Sequence, residues 1–125
     1  MKLGLAYGRG TLTAAFPDQT DVFVPRHLPG LPDERSAFVQ VLREPIGAPP
    51  LRNLIPKDAK VALVISDLTR PTPNDRLVPW LLDELAAIPR ERFVIINGTG
   101  THRPNTPAEL TRMLGADVVQ TVRVV

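Results

Sequence analysis

Two short stretches hold most of the side chains in this sequence that are suited to chemistry. Ser66-Asp67-Leu68-Thr69-Arg70-Pro71 offers a carboxylate, hydroxyls and a guanidinium; Gly98-Thr99-Gly100-Thr101-His102-Arg103-Pro104 offers hydroxyls, an imidazole and a second guanidinium. Imidazole is the side chain best matched to proton transfer near neutral pH, which marks His102 as a candidate acid/base. The planar fork of Arg70 suits a carboxylate or a phosphate, with a surface salt bridge, for example to Asp67, as the plainer alternative. Asp67 suits ribose hydroxyls or the orientation of a base, but Asp at this kind of position also makes turns. The glycines before His102 allow close backbone approach to a ligand. Thr99, Thr101 and Arg103 have no structural role that the sequence discloses. His27, between Pro25-Arg26 and Leu28-Pro29, reads as a structural histidine in an irregular stretch.

The first stretch directly follows a continuous apolar run, Val61-Ala62-Leu63-Val64-Ile65, and the second follows Phe93-Val94-Ile95-Ile96 after the single residue Asn97. Such runs suit parallel strands buried on both faces. A helix is expected from Pro73 to Ile88, with Leu77, Trp80, Leu81, Leu85 and Ile88 forming a stripe packed on the sheet and Trp80 in the core. A second helix is expected from Pro107 to Leu114, stopped by Gly115, and a third strand from Val118 to Val125. Both helix starts have one design: Thr72, Pro73 and Asp75 in the first and Thr106, Pro107 and Glu109 in the second, as cap, first and third positions.

This alternation predicts an α/β fold with a parallel, doubly wound, Rossmann-like βαβαβ core over residues 57–125. Residues 1–56 read as a β-rich lead-in of two or three short strands, one helix over Asp33–Arg43 and a proline-rich linker, all packed with the same domain. The sequence stops inside the expected third strand, which points to a segment of a larger, two-domain protein. Ligands of open parallel sheets bind beyond the carboxyl ends of the strands, where helix N-termini present free N–H groups, so both stretches fall around one anion-friendly crevice.

Composition narrows the classes further. The 125 residues are 43% hydrophobic and 22% charged, which is ordinary globular usage. A formal net charge of +2 is too small for a nucleic-acid-binding surface, and no run approaches the ~20 apolar residues of a membrane span. With no Cys and no apolar leader, a cytoplasmic location is expected and cysteine-ligated metal is excluded. Gly98-Thr99-Gly100 lacks the spacing of a dinucleotide fingerprint, and no Gly-Lys-Ser/Thr phosphate loop is present.

The pair of motifs, Ser66-Asp67-Leu68-Thr69-Arg70-Pro71-Thr72-Pro73 and then Gly100-Thr101-His102-Arg103-Pro104-Asn105-Thr106-Pro107-Ala108-Glu109-Leu110, resembles the signature of the lactate racemase family that uses a nickel-pincer nucleotide. Tyr7-Gly8, Pro45-Ile46-Gly47 and Asn53 fall where similar segments fall in that family, so the resemblance covers almost the whole chain. It implies an isomerase that racemises or epimerises a 2-hydroxy acid such as lactate by proton-coupled hydride transfer. The implied cofactor is a nickel pyridinium-3,5-bisthiocarboxylate mononucleotide, tethered by a lysine outside these residues. His102 is then one of two acid/bases, Asp67, Leu68, Thr69 and Arg70 lie against the nucleotide, and Arg70 also faces the substrate carboxylate. Leu68 is expected to act through its backbone. The tether, the histidine that ligates nickel and the second acid/base belong to the C-terminal remainder, so these 125 residues alone are expected to be inactive. The alternative is a non-catalytic module that binds a nucleotide or phosphorylated metabolite; a purely structural domain would leave the coordinated motifs unexplained.

Overall fold

The computed structural model describes residues 1–125, which form two compact units, Met1–Gly30 and Leu31–Val125. In the first, β1 (Lys2–Tyr7) and β2 (Gly10–Ala15) make an antiparallel hairpin in the register Lys2↔Ala15 to Tyr7↔Gly10. Gly8 at the turn has φ +58°, a conformation that glycine adopts without a Cβ penalty. Residues 16–30 contain no helix or strand, so the lead-in has two strands and not a third.

The second unit is the α/β core: α1 (Glu34–Arg43), α2 (Leu51–Leu54), β3 (Val61–Ser66), α3 (Asn74–Glu84), β4 (Phe93–Gly98), α4 (Pro107–Leu114), α5 (Ala116–Thr121) and β5 (Arg123–Val124). The strands are parallel in the order β3-β4-β5. Helix α1 begins where Asp33, the first residue of the helix expected there, accepts the Ser36 amide at 2.9 Å as a side-chain cap. It packs on α3, with Phe38 and Trp80 rings 6.1 Å apart, and lies within the α/β unit. Within the expected linker, Leu51–Leu54 forms a short helix.

The core gathers Ile65, Val78, Leu82, Leu85, Ile88, Phe93, Ile95, Leu114, Val118 and Val122. Two sequence expectations change here. On α3 the deepest positions are Val78 and Leu82, while Leu77, Trp80 and Leu81 are half-buried. The helix lies between other elements, packing against both α1 and α4, and therefore uses more than one apolar face. The run expected as a strand from Val118 is helical through Thr121, because Val118 and Val122, four residues apart, enter the core together. Only Arg123–Val124 pair with β4, a ladder that the Val125 amide extends by donating to the Ile95 carbonyl at 2.9 Å.

The strands are not buried on both faces. Ile65 and Ile95 are buried, whereas Val64 is 73% exposed and Ile96 is 39% exposed. Sequential strand order with α3 packed on α4 winds the chain in one direction, so the doubly wound expectation is not met within these residues. No helix is long and apolar enough to cross a membrane.

This one-sided burial makes neighbouring strand residues energetically unequal. Ile95→Ala is expected to cost about 2–5 kcal/mol, as truncations in a packed core do, and Val64→Ala no more than about 0.5 kcal/mol. Urea unfolding of the two variants measures both; equal losses would contradict the open face.

Candidate functional site

Parallel pairing places Ser66, the last residue of β3, beside Gly98, the last of β4. The two loops thus leave the sheet from adjoining strand ends, as the sequence leads one to expect. A Cβ on Gly98 would lie 3.2 Å from the Ile65 carbonyl oxygen, so this position favours glycine through close backbone approach.

In the first loop the Arg70 amide donates to the Asp67 carbonyl at 3.2 Å, closing a turn. Asp67 is buried, at 4% exposure. Its Oδ1 accepts the Thr69 hydroxyl at 2.7 Å and the Thr69 amide at 3.3 Å. Its Oδ2 lies 2.6 Å from Nδ1 of His102 in the other loop. Donation from Thr69, reinforced by His102, holds the Asp67 carboxyl below its ordinary range despite the burial that opposes this. A carboxylate can only accept, so this contact is a hydrogen bond when Nδ1 of His102 carries the proton. The imidazole is half-exposed and its Nε2 makes no hydrogen bond.

The second loop is folded on itself. The His102 amide donates to the Thr99 carbonyl at 3.0 Å, and Gly100 takes φ +59° at the bend. Asn97 Nδ2 donates to Asn105 Oδ1 at 2.7 Å, a clasp between the strand end and the approach to α4. Sequence reasoning missed this pair; a polar Asn ending an apolar strand run was the available signal.

The two helix starts differ. Thr106 and Glu109 make the expected capping box: the hydroxyl accepts the Glu109 amide at 3.3 Å and the carboxylate accepts the Thr106 amide at 2.8 Å. Arg103 clamps the same carboxylate with two bonds of 2.9 and 2.8 Å, a structural role that the sequence had not disclosed. This pairing holds Glu109 well below the usual carboxylate range and raises Arg103. Thr72, by contrast, does not cap α3. Its hydroxyl lies 3.1 Å from that of Ser66, Pro73 occupies the cap position, and no side chain caps the helix. The cap fails because the Thr72 carbonyl already accepts the Asn74 amide at 2.8 Å in a tight turn, which moves the helix start one residue on.

Of the sequence candidates, Asp67, Thr69 and His102 are joined by direct bonds. Arg70 is exposed and takes part in no ion pair, so the alternative of a bridge to Asp67 does not apply. Leu68 is 36% exposed. Thr101 is exposed, and its side chain makes no hydrogen bond. His27 is exposed in the irregular stretch, as expected of its segment, but makes no hydrogen bond that would give it a structural role.

The family model described as the lactate racemase N-terminal domain matches residues 7–125. The lactate racemase of Lactiplantibacillus plantarum is 34% identical over 93 residues, covering 74% of this chain and 22% of that protein. The lactate racemase of Thermoanaerobacterium thermosaccharolyticum is 30% identical over 121 residues, covering 93% of this chain and 28% of that protein. The structure of the apoprotein from the latter organism superposes with a TM-score of 0.74 at 27% identity, covering all of this chain and 30% of that one. The chain thus spans less than a third of the length of these relatives.

The depressed carboxyls carry a pH signature. Asp67 and Glu109 bind protons less readily folded than unfolded, so their stabilisation is complete above the unfolded carboxylate range, near pH 4, and is lost as pH falls through the lower folded values. Tm is expected to be flat from about pH 7 to 5 and to decline below about pH 4. Glu109→Gln should make that decline shallower, a comparison that thermal unfolding across pH settles.

Proposed function

This chain belongs to the lactate racemase N-terminal domain family, and on that premise we propose that it supplies half of the active site of a racemase or epimerase acting on lactate or a similar 2-hydroxy acid. The observation that supports this reading most is the meeting of the two motifs: an imidazole from one loop seated on a buried carboxylate from the other, with a free guanidinium nearby in sequence. Nε2 of His102 takes the hydroxyl proton of the substrate and returns it, as an acid/base with a fixed ring does. Arg70, free of ion pairs, binds the substrate carboxylate.

The residues present fit the nucleotide end of a nickel-pincer nucleotide. Asp67, Leu68, Thr69 and Arg70 form the turn that holds it, Leu68 through its backbone, in front of a helix whose first turn no side chain caps. The metal ligand, the tethering lysine and the opposing acid/base are assigned to the C-terminal remainder of the protein. When bound, the cofactor supplies a hydride acceptor beside the proton transfer that His102 performs. The sequence-level alternative, a binding module without catalysis, is separated by activity.

Full-length protein matured with cofactor is expected to interconvert D- and L-lactate, and native mass spectrometry to find a covalent nickel-containing adduct. His102→Ala should lower the rate by about 10²-fold or more. Arg70→Ala should raise KM more than it lowers kcat if its main role is to bind the carboxylate. An unchanged rate in His102→Ala would remove the acid/base assignment, and binding of nucleotide without racemisation would favour the module.

A further inference from the structure

We propose that Asp67 is a positioning residue for His102: its carboxylate holds the imidazole in the tautomer with the proton on Nδ1, leaving Nε2 as the site of proton exchange. This inference rests on the reading of His102 as an acid/base and adds the group that sets its tautomer and direction.

The geometry separates two jobs within one side chain. Oδ1 receives both bonds from Thr69, which completes the local turn, so a turn-forming aspartate would need nothing more. Oδ2 is directed to another strand's loop and meets only His102 Nδ1, at 2.6 Å and across 35 residues of sequence. A carboxylate at 4% exposure is deprived of water, and a partner on each oxygen is what its burial requires. Thr69 fixes the carboxylate and the carboxylate fixes the ring. The ring itself remains half-exposed, with its second nitrogen unbonded. Buried acid, histidine Nδ1 and an outward Nε2 form the arrangement by which a base is oriented without itself passing its proton to the acid.

An isolated neutral imidazole prefers its proton on Nε2, so the opposite tautomer reports the partner and not the ring alone. In full-length protein labelled with ¹⁵N-histidine, long-range ¹H–¹⁵N spectra in mildly alkaline solution should show His102 with a protonated Nδ1 and a bare Nε2. Its signal is identified by its loss in His102→Gln. Asp67→Asn should reverse the tautomer, because the amide can donate to Nδ1 and the acceptor charge is gone, while kcat falls on the order of 10²-fold with KM changing far less. Thr69→Val should keep the Nδ1–H tautomer with a smaller loss of kcat. A wild-type ring protonated on Nε2 overturns the proposal even if Asp67→Asn does not fold, and so does an Asp67→Asn protein that keeps both the ring signature and kcat. The expected tautomer in a protein that does not racemise lactate would leave the orientation of His102 standing and remove the substrate reading instead.

Discussion

Parallel pairing of β3 with β4 in the register that sets Ser66 beside Gly98 is the constraint on which the rest of the site depends. Neighbouring strands lie about 5 Å apart, so loops leaving their ends can share hydrogen bonds only if those ends are level. A shift of one residue would turn every side chain of β3 to the other face, exposing Ile65 and burying its neighbours. The core therefore enforces the register, and the register brings Asp67 within reach of His102. Gly98 contributes by admitting the Ile65 carbonyl where a side chain would intrude.

Around that junction, charged groups of the same type have been put to different uses. Arg103 and Glu109 are locked to each other and to the start of α4, which makes the far end of the His102 loop a rigid anchor. Asn97 and Asn105 tie the same loop at its base. Arg70 has no such partner, and the first turn of α3 carries no side-chain cap. One loop is thus held by its own residues, while the other presents a free cation, a group suited to an anion.

The sheet shows the same asymmetry on a larger scale. Helices α3 and α4 and the residues they bury close over Ile65 and Ile95, but Val64 and Ile96 lie on a face that no element of this unit covers. Parallel sheets are usually covered on both faces, and the apolar residues of β3 and β4 are of the kind such covering requires. The relatives are more than three times as long as the segment matched here.

Periodicity and chemistry local to the chain were legible in the sequence: the strand at Val61–Ser66, the strand beginning at Phe93, the helix α1, the cap of α4, and the two loops that end the strands. Each depends on interactions within a few residues, or on an apolar run that has to be buried somewhere. The sequence also paired the motifs through their resemblance to a known family. Where a choice depended on distant partners, tertiary structure decided it. Val118 and Val122 became helical because the core accepted them at helical spacing, α3 turned Val78 and Leu82 inward because α1 occupies another side, and Arg103 met Glu109 instead of a ligand. Above all, Asp67 read as a turn residue, a contact to ribose hydroxyls or the group that orients a base, and only the level ends of two strands decided that it meets His102, because a bond across 35 residues depends on register, which no local pattern encodes.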